Sequence, residues 1–335
     1  MAYEGLFKFL GLSEACGTNS GGLISLSSIT PKESSAWDIP FPSLDTLNEA
    51  CAAFPRTRDF TAGLEDGFLY IRPALRFVLD PLTQPLSWML EFTLNSFTNI
   101  HWWIFVPILV LLCYLLSKSA KIASLVLVSF LFLLFVDYYV FAIETLSIIF
   151  VCTVICVLFG VPIGIWMSRS DRVQNAIIPI LDMLQTLPTF VYLIPLIFLF
   201  NITEPKLYGL AIILYAIVPV IRLTNLGIRL VDKDIMEAVT AFGLTSHQKL
   251  WKVQVPLALP NIMAGVNQTI MMSLAMVVIA SLVSAPGLGT LVLDGINNLR
   301  LGVGFLAGFG IVLIAVMLDR VSKAALAQID KSQKS

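Results

Sequence analysis

Charge is scarce in this chain: Asp, Glu, Lys and Arg make up 13% of its 335 residues, against about 25% in soluble domains. That deficit, beside 57% hydrophobic residues, excludes an ordinary water-soluble globule. No Gly is followed by Lys anywhere, so the Gly-x-x-x-x-Gly-Lys-Ser/Thr phosphate loop is absent and the chain is not expected to hold ATP in the usual manner. No catalytic Ser/His/Asp constellation is visible either, and the chain reads as a non-enzyme. The net charge of −1 gives no reason to invoke nucleic acid. The stretch from Met1 to Thr30 lacks the basic flank and continuous apolar core of a signal peptide, so the tail is expected to stay attached.

Long apolar runs are what the chain has in abundance, and almost all of them lie beyond Ile100. A bilayer-crossing helix needs about 20 mostly apolar residues. The pattern predicts an all-α polytopic membrane protein with seven spans, at 100–117, 121–137, 140–167, 176–200, 207–229, 255–283 and 303–320. The Asp137-Tyr138-Tyr139 stretch is the place where two helices could be confused with one. The connections after spans one, three and five, with the C-terminal tail, hold thirteen of the 21 basic residues and six acids. By the positive-inside rule this side is cytoplasmic. The other side, tail included, holds eight basic and fifteen acidic residues, leaving Asp182 within a span. Seven crossings then place the N-terminus outside and the C-terminus in the cytoplasm. The domains follow: a periplasmic tail over 1–99, two accessory spans over 100–139, a transmembrane core over 140–320 and a cytoplasmic tail over 321–335.

In the tail, Phe68, Ile71, Leu75 and Val78 recur at helical spacing, as do Leu86, Leu90 and Leu94. With Pro73, Pro81 and Pro85 between them, they predict short amphipathic helices. Trp88, Trp102 and Trp103 suit a headgroup layer, so these helices either lie on the outer membrane surface or pack on the protein's own spans. Cys16 and Cys51 permit a disulfide there if the tail is periplasmic. Cys152 and Cys156, one turn apart in a span, read as small core residues. His101 and His247 fall near opposite membrane faces, so no metal site is expected.

Between spans five and six, residues 231–256 form a polar loop with its own pattern. Asp232 and Asp234 favour a helix start, and Ile235, Ala238, Val239 and Phe242 form one apolar stripe. Gly243 ends that helix. Thr245 and Gln248 form a capping box that starts a second, and Pro256 marks the entry to span six. The stripe either packs on the protein's own spans or fills a groove on a cytoplasmic partner.

The combination of Glu237-Ala238, Gly243 six residues after the Glu, and Val253-x-Val255-Pro256 resembles the EAA loop of ABC-importer permeases. Val239 departs from the usual third Ala, and two Val residues replace the usual Ile and Leu, all of them apolar. Leu181-Asp-Met-Leu-Gln-Thr-Leu-Pro-Thr-Phe-Val-Tyr-Leu-Ile-Pro195 and Pro260-Asn-Ile-Met-Ala-Gly-Val-Asn-Gln-Thr-Ile-Met-Met-Ser-Leu-Ala-Met-Val-Val-Ile-Ala280 resemble the glycine betaine/proline betaine members of that superfamily. The resemblance covers roughly residues 140–320. It implies an ABC-importer permease core in a bacterial inner membrane, working with a second copy of itself, two cytoplasmic ABC ATPase subunits and an external substrate-binding protein. ATP and Mg would belong to the ATPase. Glu237, Ala238, Phe242, Gly243 and Pro256 would form the coupling element.

Polar groups inside a membrane are costly and suggest function. Asp182, Gln185, Thr186 and Tyr192 in span four, with Asn267, Gln268, Thr269 and Ser273 in span six, are candidate translocation-path residues. Tyr192 offers an aromatic face to a quaternary ammonium, and Asn267 or Gln268 an amide to a carboxylate. Helix–helix hydrogen bonding is the competing reading, and Asp182 could instead pair with a basic loop residue. Pro286, Gly287 and Gly289 predict a re-entrant turn; the similar family segment sits at the outer gate. The substrate class implied is a betaine-type solute such as glycine betaine, proline betaine, choline or trimethylamine N-oxide. The rival is an ion-coupled secondary transporter of a small zwitterion, for which Asp182 would be the ionisable group.

Overall fold

The structure, a computed structural model, describes residues 43–50 and 54–334. Cys16, Cys51 and the Met1–Thr30 stretch lie outside them, so the disulfide and the tail's beginning have no structural account. Every regular element among the described residues is helical. In chain order these are α1 (Leu44–Ala50), α2 (Thr57–Asn99), α3 (Trp102–Ser117), α4 (Ala120–Phe135), α5 (Tyr139–Arg169), α6 (Asp171–Thr186), α7 (Leu193–Leu199) and α8 (Pro205–Arg229). They are followed by α9 (Lys233–Ala241), α10 (Ser246–Lys249), a π turn (Leu250–Gln254), α11 (Val255–Ala280), α12 (Leu288–Asn297) and α13 (Leu301–Lys334).

The chain divides into two units, Met1–Leu75 and Arg76–Ser335. In the first, Asp45 of α1 accepts from the Thr57 amide at 2.9 Å and its hydroxyl at 3.0 Å. An acid from one helix thereby satisfies an orphan donor at the start of the next. The short helices expected across 68–99 are instead part of one 43-residue helix, α2, which runs through Pro73, Pro81 and Pro85. Each proline removes a hydrogen bond without forbidding the helix, and anchoring from Arg76 onward offsets that loss. Leu86 and Leu90 pack on Gly209 at the start of α8. Arg76 pairs with Asp80 at 2.9 Å and Glu204 at 3.1 Å, and Lys206 with Asp80 at 2.7 Å and Glu204 at 2.9 Å. The Lys206 hydrogen bond holds the Asp80 carboxyl below its ordinary pKa.

The apolar runs of the second unit form long helices. Among the described residues four helices are long and apolar enough to cross a membrane, Tyr139–Arg169, Pro205–Arg229, Ser246–Val283 and Leu301–Gln328, or five if the bent pair Thr57–Asn99 and Trp102–Ser117 is one span. The four coincide with the expected spans three, five, six and seven. Expected spans one and two correspond to α3 and α4, each of 16 residues. The chain bends by 112° between α2 and α3. Asp137 takes a positive φ of 66°, a conformation Asp tolerates better than most residues, and this separates α4 from α5.

The expected span over 176–200 is broken. Leu187, ahead of Pro188, is extended at φ −65°, ψ 132°, as steric contact with the proline ring requires. The amphipathic α6 therefore stops at Thr186, and α7 resumes at Leu193.

At the centre, α8 packs between α5 and α11. Small residues let the backbones approach: a side chain on Gly265 of α11 would meet the Val220 Cα of α8 at 3.0 Å. Cys152 and Cys156 are free and buried, with thiols 3.9 Å from the Gly209 and Ile213 carbonyls of α8. They act as small packing residues. At the far end, α13 continues past residue 320 as helix to Lys334, and the Gln328 amide donates to the Leu116 carbonyl at 2.9 Å.

Candidate functional site

The loop after α8 folds as its residues dictate. The Asp232 carboxylate accepts from the Asp234 amide at 3.0 Å and caps α9. Gly243 takes φ +76° and ends it. Thr245 and Gln248 close a reciprocal capping box, with 3.0 Å and 3.4 Å bonds. The Lys249 ammonium donates to the Thr240 hydroxyl at 2.8 Å and ties α10 back to α9. The second helix is not a separate unit, because α10 is four residues long and runs through the π turn into α11. Pro256 has no N–H to give and its ring crowds the preceding turn. The ladder there slips by one residue, and the Val255 amide reaches Leu250.

Among the described residues the stripe on α9 is largely uncovered, with Val239 alone of its four residues half-buried. No residue of α9 is buried; Ile235 is 40% exposed and Phe242 83%. Glu237 lies in a shallow open recess with Lys233, Met236, Thr240 and Ala241. Ala238 and Pro256 are also exposed. The element is thus an unpartnered amphipathic helix fixed at both ends to long apolar helices, α8 and α11.

The candidate path residues separate into three groups. Gln185 and Tyr192 converge on α11, donating toward the sulfurs of Met272 and Met276 at 3.9 Å each. Asp182 pairs with Arg222 of α8. Arg222 lies within the 205–229 helix. Thr186 is exposed and donates to the Met183 carbonyl at 3.4 Å.

On α11 the clustered residues diverge, since neighbours on a helix point about 100° apart. Asn267 bonds to Ser322 of α13, and Gln268 is exposed. Thr269 and Ser273 are fully buried, and their hydroxyls have no partner among the described residues. Glu144, counted with the outer side by sequence, lies within α5.

The segment with Pro286, Gly287 and Gly289 is folded inward. Gly287 has φ +118°, and a side chain there would collide with the Thr145 hydroxyl of α5. The Leu288 amide donates to that hydroxyl at 2.9 Å, and a side chain at Gly289 would collide with Ser281. Gly295 and Gly304 then let α12 and α13 run in close contact. Among the described residues no group of three or more His, Cys, Asp or Glu could hold a metal.

Comparison with known proteins matches this arrangement. The chain is 42% identical over 228 residues to the glycine betaine transport system permease protein OpuAB of Bacillus subtilis (strain 168), covering 68% of this chain and 76% of that one. It is 38% identical over 268 residues to the glycine betaine/proline betaine transport system permease protein ProW of Escherichia coli (strain K12), covering 79% and 73%. A solved inward-facing structure of the MetNI methionine ABC transporter matches with a TM-score of 0.51 at 17% identity, covering 56% of this chain and 94% of that one, a likeness of fold. Residues 160–334 match the model of the binding-protein-dependent transport system inner membrane component. The loop, the spans and these matches agree: the chain belongs to that family and is a multi-pass membrane permease subunit, not an enzyme.

Proposed function

We propose that this chain is the translocating subunit of an ATP-driven importer of betaine-type compatible solutes in a bacterial inner membrane. The observation that carries the reading is the uncovered stripe on α9, whose Phe242 is 83% exposed. A large aromatic on a helix joined to two membrane helices is suited to fill a partner's groove. Two copies of the chain would work with two cytoplasmic ABC ATPase subunits and an external substrate-binding protein. ATP and Mg would be bound by the ATPase, and movement of its groove would displace α9. Glu237, Ala238, Phe242, Gly243 and Pro256 would form the coupling element. The names of the relatives support glycine betaine or proline betaine as substrates, with choline and trimethylamine N-oxide of the same chemical class.

In this reading α9 faces the cytoplasm, the C-terminus lies inside and the N-terminus outside, with α2 along the outer membrane surface. Tyr192 and Gln185 border the path, with Asp182, Thr186, Asn267, Gln268, Thr269 and Ser273 near it. Pro286, Gly287 and Gly289 close it externally. Affinity purification of the tagged chain from its native membrane tests the assembly. An ABC ATPase co-purifying in equal amount is expected, and the absence of any ATPase would overturn the reading.

A further inference from the structure

The helix α6 carries a polar connection to α8 that the coupling loop alone does not explain. Leu181 is its one buried residue among those described, and its other apolar contacts are partial, through Val173, Ile177, Ile178 and Leu184 against Met167, Val218 and Ile221. Ionic and amide contacts run along the same face. Arg229, the last residue of α8, donates to Asp171 of α6 at 2.6 Å, to the Met167 carbonyl of α5 at 3.0 Å and to Asn225 at 3.1 Å. Asn225 in turn donates to Gln174 of α6 at 3.4 Å. Seven residues back along α8, about 10 Å at the helical rise, Arg222 pairs with Asp182.

These contacts have a direction. Arg229 is four residues before Lys233, where α9 begins, so the first ion pair sits at the loop's entrance. Asp182 is three residues before Gln185, whose amide meets Met272 of α11. An arginine fork can bond several acceptors in fixed geometry, as Arg229 does with Asp171, Met167 and Asn225; the carboxylates are exposed, Asp171 at 83% and Asp182 at 54%, so the connection rests on that geometry and not on buried charge. Displacement of the loop end of α8 therefore reaches α6 along a stiff route.

We infer that the Asp171–Arg229 and Asp182–Arg222 pairs clamp α6 to α8, so that movement of α9 is delivered to Gln185, Tyr192 and the break at Leu187–Tyr192. The four residues are positioning residues, acting through α6 on the groups that border the path. This rests on reading the chain as an ATP-driven permease, but the clamp itself is a statement about two helices and is tested separately from it.

The first measurement needs no transport. In the full-length chain in lipid nanodiscs, with native cysteines replaced, nitroxides at Ile180→Cys on α6 and Leu226→Cys on α8 report the helix separation by pulsed electron resonance. One narrow distance distribution is expected for the parent chain. Asp182→Asn and Arg222→Gln should each broaden it, and the exchange D182R/R222D should narrow it again. Unchanged distributions in both single variants would overturn the clamp, as would an exchange variant no narrower than the singles.

The second measurement uses proteoliposomes holding the chain with its ATPase. Arg222→Gln should keep substrate-stimulated ATP hydrolysis within about twofold of the parent while uptake falls at least tenfold, and the exchange should recover most of the uptake. ATP consumed per substrate unchanged in the single variants would contradict delivery of the movement through α6. A parent chain without ATP-dependent uptake would refute the transport reading, while the distance measurement would still decide the clamp.

Discussion

Gly287 and Gly243 both occupy backbone conformations with positive φ, at +118° and +76°, and they differ in what surrounds them. Nothing lies within 4 Å of a side chain added at Gly243. Gly243→Ala is therefore strained by φ alone, at roughly 1–2 kcal/mol. At Gly287 the Thr145 hydroxyl blocks the space as well. Gly287→Ala should destabilise the chain by about 2–4 kcal/mol. Thermal melting in detergent should show a clearly larger drop for Gly287→Ala than for Gly243→Ala; equal drops would contradict the inward-folded segment.

Tyr192 makes a smaller, functional prediction. Its one hydrogen bond among the described residues is to a thioether at 3.9 Å, a weak acceptor, so Tyr192→Phe should leave melting unchanged within about 0.5 kcal/mol. If the ring borders the path, Tyr192→Ala should raise the concentration for half-maximal uptake several-fold, whereas Tyr192→Phe should not. Initial rates in proteoliposomes distinguish them.

Among the elements, α9 and its caps were the most legible. Asp232, Gly243, Thr245 and Gln248 each perform locally the role their side chains suggest, and such contacts span three or four residues. Exposure of the stripe was not legible, because periodicity reports a face and not what covers it. The break in 176–200 was a missed local signal: Leu187-Pro188 disfavours a continuous helix, and no long-range anchoring overrides it there, yet overall apolarity hid it. The three prolines of α2 misled in the opposite sense, since contacts of Arg76, Asp80, Leu86 and Leu90 with residues more than a hundred positions away outweigh a local penalty. On α11, Asn267 meets Ser322 of α13 whereas Thr269 and Ser273, one turn apart, are both buried, a division that residue type and spacing did not reveal. Phe242 tests the element directly. With 83% of it exposed, Phe242→Ala should change stability by no more than about 0.5 kcal/mol. It should nevertheless weaken ATPase association at least tenfold, about 1.4 kcal/mol, measured by titrating purified ATPase onto the chain in nanodiscs. Undiminished affinity would show that the stripe is not the docking face.

For the whole molecule, all-helical membrane architecture followed from the scarcity of charge and the long apolar runs, and four spans fell where the runs predict. How those spans group around α8 was beyond reach, because glycine–backbone contacts such as Gly265 on Val220 join residues 45 positions apart. The same geometry joins the exposed loop helix α9, the ion-paired α6 and the inward-folded segment in one chain that lacks a phosphate loop of its own. The central claim is that work enters through α9 from ATP bound elsewhere. The most direct test is uptake of radiolabelled glycine betaine into proteoliposomes holding the chain, its ATPase and the external binding protein. Accumulation that needs internal ATP, is abolished by omitting the ATPase and persists after ionophores collapse every ion gradient is the predicted result. Accumulation that follows an imposed proton or sodium gradient without ATP would contradict it.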